Sequence, residues 1–522
     1  LNETVNPRAR VCVPVCVRRA AELAPAVERA AQFADVIELR FDCFEDDAQL
    51  ETACRELQAS LFPRPRPFIL TFRPAEQGGG RALGEAKRRG FWHRNFLVTE
   101  KLADYADIEH DLKLYLIVEA ATWERVIHSH HDFVGVPADL EAIYGRMAQT
   151  PARALKIAVQ ADEITDCLPV VRLLARARRE GRELIAVAMG EAGLLTRVLA
   201  PAFGSFLTYG ALDEERATAP GQITAAELRD LYRVHSITER TTITGLVGSP
   251  VSHSLSPHIH NAAFAARSFD AVYVPFETRD ARAFARRMAH PRTRELAWNL
   301  RGFSVTAPHK SAIIGELDFV EPSAREIGAV NTVVCEDDEL RGYNTDAAAA
   351  LAPLEGLIDL EGARVAVVGA GGAARAVLWG LRESGARASV FARDTARARE
   401  VAARFGAPAR SLEAARFDGF DLVVNATPLG TRGAREGETA ATAEQLRGAR
   451  LAYDLVYNPA ETRFLREARA AGCAAVVGGL PMLVAQAAAQ FELWTGEAAP
   501  VGVMRSAAER RLFGAEIAKA HD

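Results

Sequence analysis

Eight short apolar runs, each followed by a helical stretch, fill the first half of the chain and constrain its fold more than any other feature. They are RVCVPVCV (10–17), DVIELRFD (35–42), PFILTFR (67–73), ADYADIEH (103–110), RVIHSHHDF (125–133), ALKIAVQA (154–161), LIAVAMG (184–190) and FLTYGAL (206–212). Amphipathic segments rich in Ala, Arg and Glu, such as 20–34 and 166–180, lie between them. This alternation predicts a (β/α)8 barrel, because parallel strands need crossover helices that cover the sheet. Polar residues gather at the ends of the runs: Glu38 and Arg40, Arg73, Glu109, His131 and Lys156. Barrel chemistry sits at C-terminal strand ends, so their recurrence predicts one converging site.

Lys156 is the sharpest of these positions. It precedes Ile157, Ala158 and Val159 in a run that reads as buried β, where an unpaired ammonium is costly. A lysine snorkelling to solvent is the bland alternative. At a barrel mouth crowded by Arg40, Arg73 and Arg197, like charge and desolvation would disfavour the ammonium, leaving an amine able to attack a ketone. His131 lies one strand earlier, and imidazole is the natural proton carrier near neutral pH. HSHH is not read as a metal site: alternation puts His128 and His130 on one face and His131 on the other.

A chain of 522 residues exceeds one ordinary core, so two or more domains are expected. Hydrophobic residues make up 49% and charged residues 25%, the balance of a soluble globular protein. A formal net charge of -5 without a long basic run argues against nucleic-acid binding. No apolar stretch is long enough to span a bilayer. Seven cysteines are scattered without a CxxC pair. Cys12 and Cys16 lie in an apolar run without His or Cys partners, so core positions, reduced thiols and a cytoplasmic location are expected. The N-terminus LNETVNPRAR has no apolar h-region, and the absent initiator Met suggests a trimmed start.

The pattern resets near SITERTT (236–242). From 363, ARVAVVGAGGAARAVLWGLRESGA runs a hydrophobic strand into a Gly-rich turn and an Ala-rich helix. Gly369, Gly371 and Ala374 fit G-x-G-x-x-A, a turn that brings a pyrophosphate to the backbone N–H groups of a helix N-terminus. After the next strand, Arg393 and Arg397 stand where NAD binders commonly carry an acid for the ribose 2′-hydroxyl. Two arginines suit a 2′-phosphate and favour NADP. A solvated basic helix start is the alternative, and Asp394 could face the ribose instead. Upstream, GSPVSHSLSPHIHN (248–261) sets Ser254 and Ser256 before a helix, where they could bind a carboxylate or cap. SVTAPHK supplies Lys310 and GYNTD supplies Asp346, a proton-transfer pair beside a hydride acceptor. The chain accordingly divides at 1–238, 241–350, 351–480 and 481–522, the last being helices expected to pack on the substrate lobe.

The first half closely resembles type I 3-dehydroquinate dehydratase. ELRFD is similar to that family's Glu-x-Arg-x-Asp strand end, and TFRP carries its substrate-binding arginine. SHHDF carries its catalytic histidine, LKIAV its Schiff-base lysine, AMGEAGLLTR its carboxylate-binding arginine and ATAPGQI its closing loop. The resemblance implies that Lys156 forms an imine with the C3 ketone of 3-dehydroquinate and that the imine acts as an electron sink. His131 would remove a C2 proton and protonate the departing C1 hydroxyl. Arg197 would clamp the substrate carboxylate, Glu38, Arg40 and Arg73 would hold ring hydroxyls and the loop, and Thr218 and Gln222 would close the site. One position departs: RPAEQGGG has Gln77, with Glu76 beside it, where the family carries a glutamate. An amide can hydrogen-bond but cannot pair with the histidine as an anion.

Residues 243–500 resemble shikimate dehydrogenase. That family's Ser-x-Ser-Pro turn falls on Ser254 and Ser256, Thr-x-Pro-x-Lys on Thr306 and Lys310, GAVNT on Asn331 and NTD on Asp346. NATPLG contains Thr427, YDLVYNP contains Tyr457, and GGLPMLVAQAAAQFELWTG contains Gly479 and Gln486. By this resemblance Lys310 and Asp346 share proton transfer at the C3 oxygen while NADPH gives hydride to C3 of 3-dehydroshikimate. Ser254, Ser256, Thr306, Asn331, Tyr457 and Gln486 would bind substrate. Gly369, Ala370, Gly371, Gly372, Ala373, Arg393, Arg397, Thr427 and Gly479 would bind NADP. Ser304 and Ala392 stand where asparagine is usual, and Ala347 where glycine is usual. The implied architecture is α/β: an N-terminal TIM barrel, then a two-lobed dehydrogenase unit with an α/β substrate lobe and a Rossmann NADP-binding lobe. The order of the halves is similar to that of the fused bifunctional family of plants. It implies small-molecule partners (3-dehydroquinate, 3-dehydroshikimate and shikimate), without metal, nucleic acid or membrane, and leaves the oligomeric state open. A quinate-using dehydrogenase is the nearest alternative. A non-catalytic regulator would be expected to lose Lys156, His131, Lys310 or Asp346, and all are present.

Overall fold

The computed structural model describes residues 10–59, 64–112 and 120–519. Segment 1–9, on which the trimmed start was read, lies outside them. The chain forms two compact units. The first runs up to residue 243 and adds 274–288 and 295–299; the second takes 244–273, 289–294 and 300 onward.

All eight apolar runs of the first half form strands: β1 (Val11–Val15), β2 (Val36–Arg40), β3 (Phe68–Thr71), β4 (Tyr105–Glu109), β5 (Val126–Asp132), β6 (Ala154–Gln160), β7 (Glu183–Met189) and β8 (Thr208–Tyr209). They make one parallel sheet in the order β7-β6-β5-β4-β3-β2-β1-β8. Buried on both faces, they read as continuous apolar runs rather than as alternating ones. The seam is narrow. β8 pairs with β1 only through Val11↔Thr208 and Cys12↔Tyr209. Beside β7, the amide of Phe206 donates to the carbonyl of Leu184 at 2.9 Å, and no ladder joins β7 to β8 among the described residues. The result is a near-closed barrel. Its interior packs Cys12, Val36, Ile69, Ile127, Ala154 and Ile185. The helix Cys167–Arg179 shows how the outer layer forms. It buries Leu168, Val171, Leu174 and neighbours on one face and ends in Arg176, Arg178 and Arg179, which suit its negative dipole end.

The cysteine expectation needs correction. Strand β1 stops at Val15, so Cys16 is exposed beyond it and forms a disulfide with Cys43, in the turn after β2 (Cα–Cα 5.4 Å). Cys12, Cys54, Cys167 and Cys335 are buried and free, and Cys473 is half-buried and free.

Two six-stranded sheets follow. One contains β9 (Thr242–Gly248), β10 (Ala271–Glu277), β11 (Leu300–Val305), β12 (Phe319–Val320), β13 (Thr332–Glu336) and β14 (Glu339–Tyr343), in the order β10-β9-β11-β13-β14-β12. The other is wholly parallel: β15 (Arg364–Val368), β16 (Arg387–Ala392), β17 (Ala409–Ser411), β18 (Leu422–Asn425), β19 (Leu451–Asp454) and β20 (Ala475–Val477). Its order β17-β16-β15-β18-β19-β20 reverses between β15 and β18, the switch point where doubly wound sheets bind ligands. The helices Leu480–Thr495 and Val501–Lys519 bury Val484, Phe491, Trp494 and Met504 against Leu246, Ile259 and Phe264. No helix among the described residues is long and apolar enough to cross a membrane.

Candidate active sites

Strand register builds the barrel site. Ser129 lies opposite Lys156, so His131, two residues farther along β5, shares the face of the lysine. Lys156 is buried; its Nζ donates to Asp107 Oδ2 at 2.8 Å and Tyr209 Oη at 2.9 Å and stands 3.5 Å from Glu38 Oε1. The groups touching the amine are therefore carboxylates and a phenol, which corrects the expected crowd of arginines. Each nearby arginine is drawn to an acid. Arg40 forks onto Asp42 at 3.0 and 2.7 Å and also reaches the Gly78 carbonyl at 3.0 Å. Arg73 donates to Asp107 at 2.6 Å. Burial opposes ionisation of Asp107, but Arg73 and then Lys156 hold it well below the usual carboxylate range. Glu109 turns to Arg88 at 3.2 Å and Arg73 at 3.8 Å, and burial pushes it up to about 7.

Burial, then Arg73 and Lys156, lower the pKa of His131 well below its ordinary value, so the imidazole is neutral. Its Nδ1 is buried without a hydrogen-bond partner among the described residues. Gln77 does not supply one, because its amide donates to Asp111 at 3.2 Å. Asp107 is the carboxylate that acts on the ring electrostatically. His130 leaves the site and faces His110, Nδ1 to Nδ1, at 3.3 Å. Among the described residues no group of three or more His, Cys, Asp or Glu is placed to hold a metal.

Arg197 stands apart from the other arginines. It is 2% exposed and pushed down to about 10 by burial alone, and its Nη2 donates to the Pro220 carbonyl at 3.3 Å. A buried guanidinium that faces no carboxylate among the described residues suits an anionic ligand. The loop above it is closed on itself. Gln222 Oε1 accepts from the Thr218 amide at 2.9 Å and its hydroxyl at 3.2 Å. A side chain at Gly221 would collide with Gly190.

The second site centres on Lys310 and Asp346, Nζ to Oδ2 at 2.5 Å. Asn331 orients the acid: its Nδ2 donates to Asp346 Oδ1 at 2.8 Å, while its Oδ1 accepts from the Thr345 amide at 2.8 Å. Ser304 is built into a buried chain, accepting from Tyr273 at 2.9 Å and donating to Gln490 Oε1 at 2.8 Å. Gln490 donates on to Thr332 at 3.1 Å. Gln490 carries no local motif; its role follows from contacts with Ser304 and Thr332, which lie on separate strands. Ala347 packs with Ile327, Ala329 and Ala376, so its departure from glycine is absorbed by an apolar cluster. The Ser254 hydroxyl accepts from the Ser256 amide at 3.2 Å, at the start of the helix Ser256–Ala266. Thr306 is held by its amide on the Val247 carbonyl at 2.9 Å. Tyr457 is close enough to act electrostatically on Tyr273, and Gln486 Nε2 rests on the Leu483 carbonyl at 2.8 Å.

The glycine turn abuts this pair. A Cβ added at Gly372, the first residue of the helix Gly372–Glu383, would lie 3.3 Å from Lys310 Cδ. Gly369 has φ +124, and an added Cβ would meet the Ala426 carbonyl at 2.9 Å. Above Gly371 an added Cβ meets nothing within 4 Å, so the backbone stays open beside Ala373 at the helix start. A cleft of about 230 Å³ is lined by Gly369, Ala370, Arg393, Arg397, Thr427 and Arg435. Arg397 Nε is tied to the Ala370 carbonyl at 3.2 Å. Asp394 is engaged as N-cap of the helix Thr395–Arg404, accepting from the Arg397 amide at 3.0 Å. Exposed guanidiniums with the acid turned to its own helix fit a 2′-phosphate better than a 2′-hydroxyl.

A buried carboxylate braces the far side of the cleft. Asp454 accepts from Asn425 at 2.8 Å, Thr462 at 2.5 Å and the Val456 amide at 3.0 Å. Asn425 in turn accepts from the Thr427 amide at 3.0 Å and its hydroxyl at 2.6 Å. Burial pushes Asp454 up to about 6. At Gly479 a side chain would collide with the Leu455 carbonyl.

Residues 11–239 match the family described as type I 3-dehydroquinase, and 246–333 the shikimate dehydrogenase substrate binding domain. Residues 357–465 match a putative NAD(P)-binding family and 479–509 the shikimate 5′-dehydrogenase C-terminal domain. The chain is 34% identical over 527 residues to the chloroplastic bifunctional 3-dehydroquinate dehydratase/shikimate dehydrogenase of Arabidopsis thaliana, covering 96% of this chain and 84% of that one. It is 46% identical over 276 residues to the shikimate dehydrogenase (NADP(+)) of Moorella thermoacetica, covering 51% and 91%. A shikimate dehydrogenase solved in complex with NADP+ aligns at 34% identity and a TM-score of 0.48, covering 53% of this chain and 97% of that one.

Proposed function

Because this chain belongs to the family of bifunctional 3-dehydroquinate dehydratase/shikimate dehydrogenases, we propose that the two residue sets above carry its two reactions. The enzyme dehydrates 3-dehydroquinate to 3-dehydroshikimate and reduces that product to shikimate with NADPH. We assign the first reaction to the barrel 1–238, substrate binding in the second to 241–350 with 481–522, and the cofactor to 351–480.

In the barrel, Lys156 attacks the C3 ketone and the resulting imine withdraws electrons from C2. His131, neutral at rest, takes the C2 proton and returns it to the leaving C1 hydroxyl. Arg197 takes the carboxylate bidentately, Glu38, Arg40 and Arg73 order the ring face, and Thr218 with Gln222 forms the lid. The observation that carries this reading is a buried lysine sharing one face of the sheet with a neutral histidine. Borohydride added with dehydroquinate should attach one ligand mass to the peptide holding Lys156. Labelling of another lysine, or of none, overturns the assignment.

In the second site Ser254 and Ser256 receive the substrate carboxylate, and Thr306, Asn331, Tyr457 and Gln486 surround the ring. Lys310 and Asp346 deliver the proton to the C3 oxygen. NADPH supplies the hydride to C3. Gly369, Ala370, Gly371, Gly372 and Ala373 hold its pyrophosphate side, Arg393 and Arg397 its 2′-phosphate, and Thr427 and Gly479 its nicotinamide side. The approach of Gly372 to Lys310 supports this arrangement, since it sets the cofactor turn against the proton donor. The net charge of -5 supports small-molecule partners rather than nucleic acid.

A further inference from the structure

The amine of Lys156 poses a counting problem. As an ammonium it has three N–H donors. Three acceptors stand around it: Asp107 Oδ2 at 2.8 Å, Tyr209 Oη at 2.9 Å and Glu38 Oε1 at 3.5 Å. The protonated imine keeps a single N–H. Asp107 and Tyr209 accept hydrogen bonds from the amine, so covalent capture of the ketone takes the donor from at least one of these two.

The acceptors differ in what they can do next. Asp107 Oδ2 also accepts from Arg73 at 2.6 Å, and Glu38 Oε1 also accepts from Thr71 at 2.8 Å, so each carboxylate keeps a partner. Asp107, held well below the usual carboxylate range by Arg73 and Lys156, has no hydrogen to give. Tyr209 carries its own hydrogen and can turn from acceptor to donor. Burial, with Glu38, Cys12 and Asp107 nearby, keeps the phenol protonated by raising its pKa well above the ordinary value. β8 presents the ring to Nζ at 4.3 Å, and the Cys12 thiol also lies within hydrogen-bond reach of the hydroxyl.

We propose that Tyr209 is a further catalytic residue of the dehydratase centre, accepting a hydrogen bond from the Lys156 amine before attack and donating one to the C3 oxygen as it leaves. His131 takes one proton from the ammonium. The nitrogen lone pair forms the C–N bond as the C=O π bond opens, and a nitrogen proton passes to that oxygen, giving the carbinolamine. The C–O bond then breaks as nitrogen forms C=N. The departing hydroxide takes the proton back from His131 and leaves as water. Tyr209 loses no proton; its hydrogen bond stabilises charge building on the leaving oxygen.

The proposal rests on imine formation at Lys156, and its test separates the two. Tyr209→Phe keeps the ring and removes the hydroxyl. Single-turnover trapping with borohydride should slow about tenfold, the loss expected for one hydrogen bond, and kcat for dehydration should fall in step while KM for dehydroquinate holds. Replacing Tyr209 by 3-fluorotyrosine, which restores the hydroxyl, should restore the trapping rate. An unchanged trapping rate in Tyr209→Phe overturns the proposal, as does a raised KM at unchanged kcat or a failure of 3-fluorotyrosine to rescue. If the unsubstituted enzyme traps no ligand at Lys156, the imine reading itself fails.

Discussion

At Arg393 one guanidinium is expected to separate two cofactors. A 2′-phosphate carries about two negative charges near neutral pH, whereas NAD offers a hydroxyl. The guanidinium makes no hydrogen bond or ion pair among the described residues, and the rival acid, Asp394, caps its own helix. A charge-assisted hydrogen bond contributes about 1.5–3 kcal/mol, roughly ten- to a hundredfold in affinity. Arg393→Ala should therefore raise KM for NADPH by that factor and leave KM for NADH nearly unchanged, measured with dehydroshikimate in steady state. Equal losses for both cofactors would place the arginine elsewhere. Lys156, His131, Lys310, Asp346 and Arg393 were legible because each sits in a short local motif, although Lys156 lies inside β6 (Ala154–Gln160) rather than at the strand end expected of it. Asp107 and Tyr209 were not, because their role depends on which strand lies beside which. Nothing within ten residues of Tyr209 announces a lysine from β6.

The same limit holds at the scale of elements. Eight strands were legible from apolar runs and their spacing, since burial on both faces writes itself into composition. The pairing of Cys16 with Cys43 was not, because it follows from β1 stopping one residue short. The Asp454 brace shows what element ends can store. Its folded pKa, about 6, exceeds the ordinary 3.8, so between those values the folded state binds more protons than the unfolded one. Its contribution to stability is therefore greatest below about pH 4 and is lost as pH rises through about 6, by about 3 kcal/mol. Asp454→Asn retains an acceptor for Asn425 and Val456 and lacks the titration. Urea midpoints between pH 4 and 7 should fall for the unsubstituted enzyme relative to the variant. Parallel curves would show that Asp454 does not titrate in this window.

For the whole molecule, each centre draws its residues from one compact unit. Glu38 through Gln222 lie in the first; Ser254 through Gln486, for the residues assigned to reduction, lie in the second. Lys156→Met should abolish dehydration and spare the reduction of added dehydroshikimate, while Lys310→Met or Asp346→Asn should do the reverse. Loss of both activities in either folded variant would contradict independent centres. The hydrophobic pattern restarts near residue 240, close to residue 243 where the continuous part of the first unit ends; the assignment of 274–288 to that unit was not legible, since it depends on contacts between segments far apart in sequence. The two-residue strand β8 carries a last consequence. It is the final strand of the barrel to leave the ribosome, it pairs with the first, and it brings the phenol to Lys156. Joining such distant segments requires closing a long loop before any contact rewards it, which makes this pairing a late step of folding. A nascent or partly refolded barrel can thus hold most of its secondary structure and still lack the phenol beside Lys156, so its full rate of dehydration is expected only when the ring of strands meets itself.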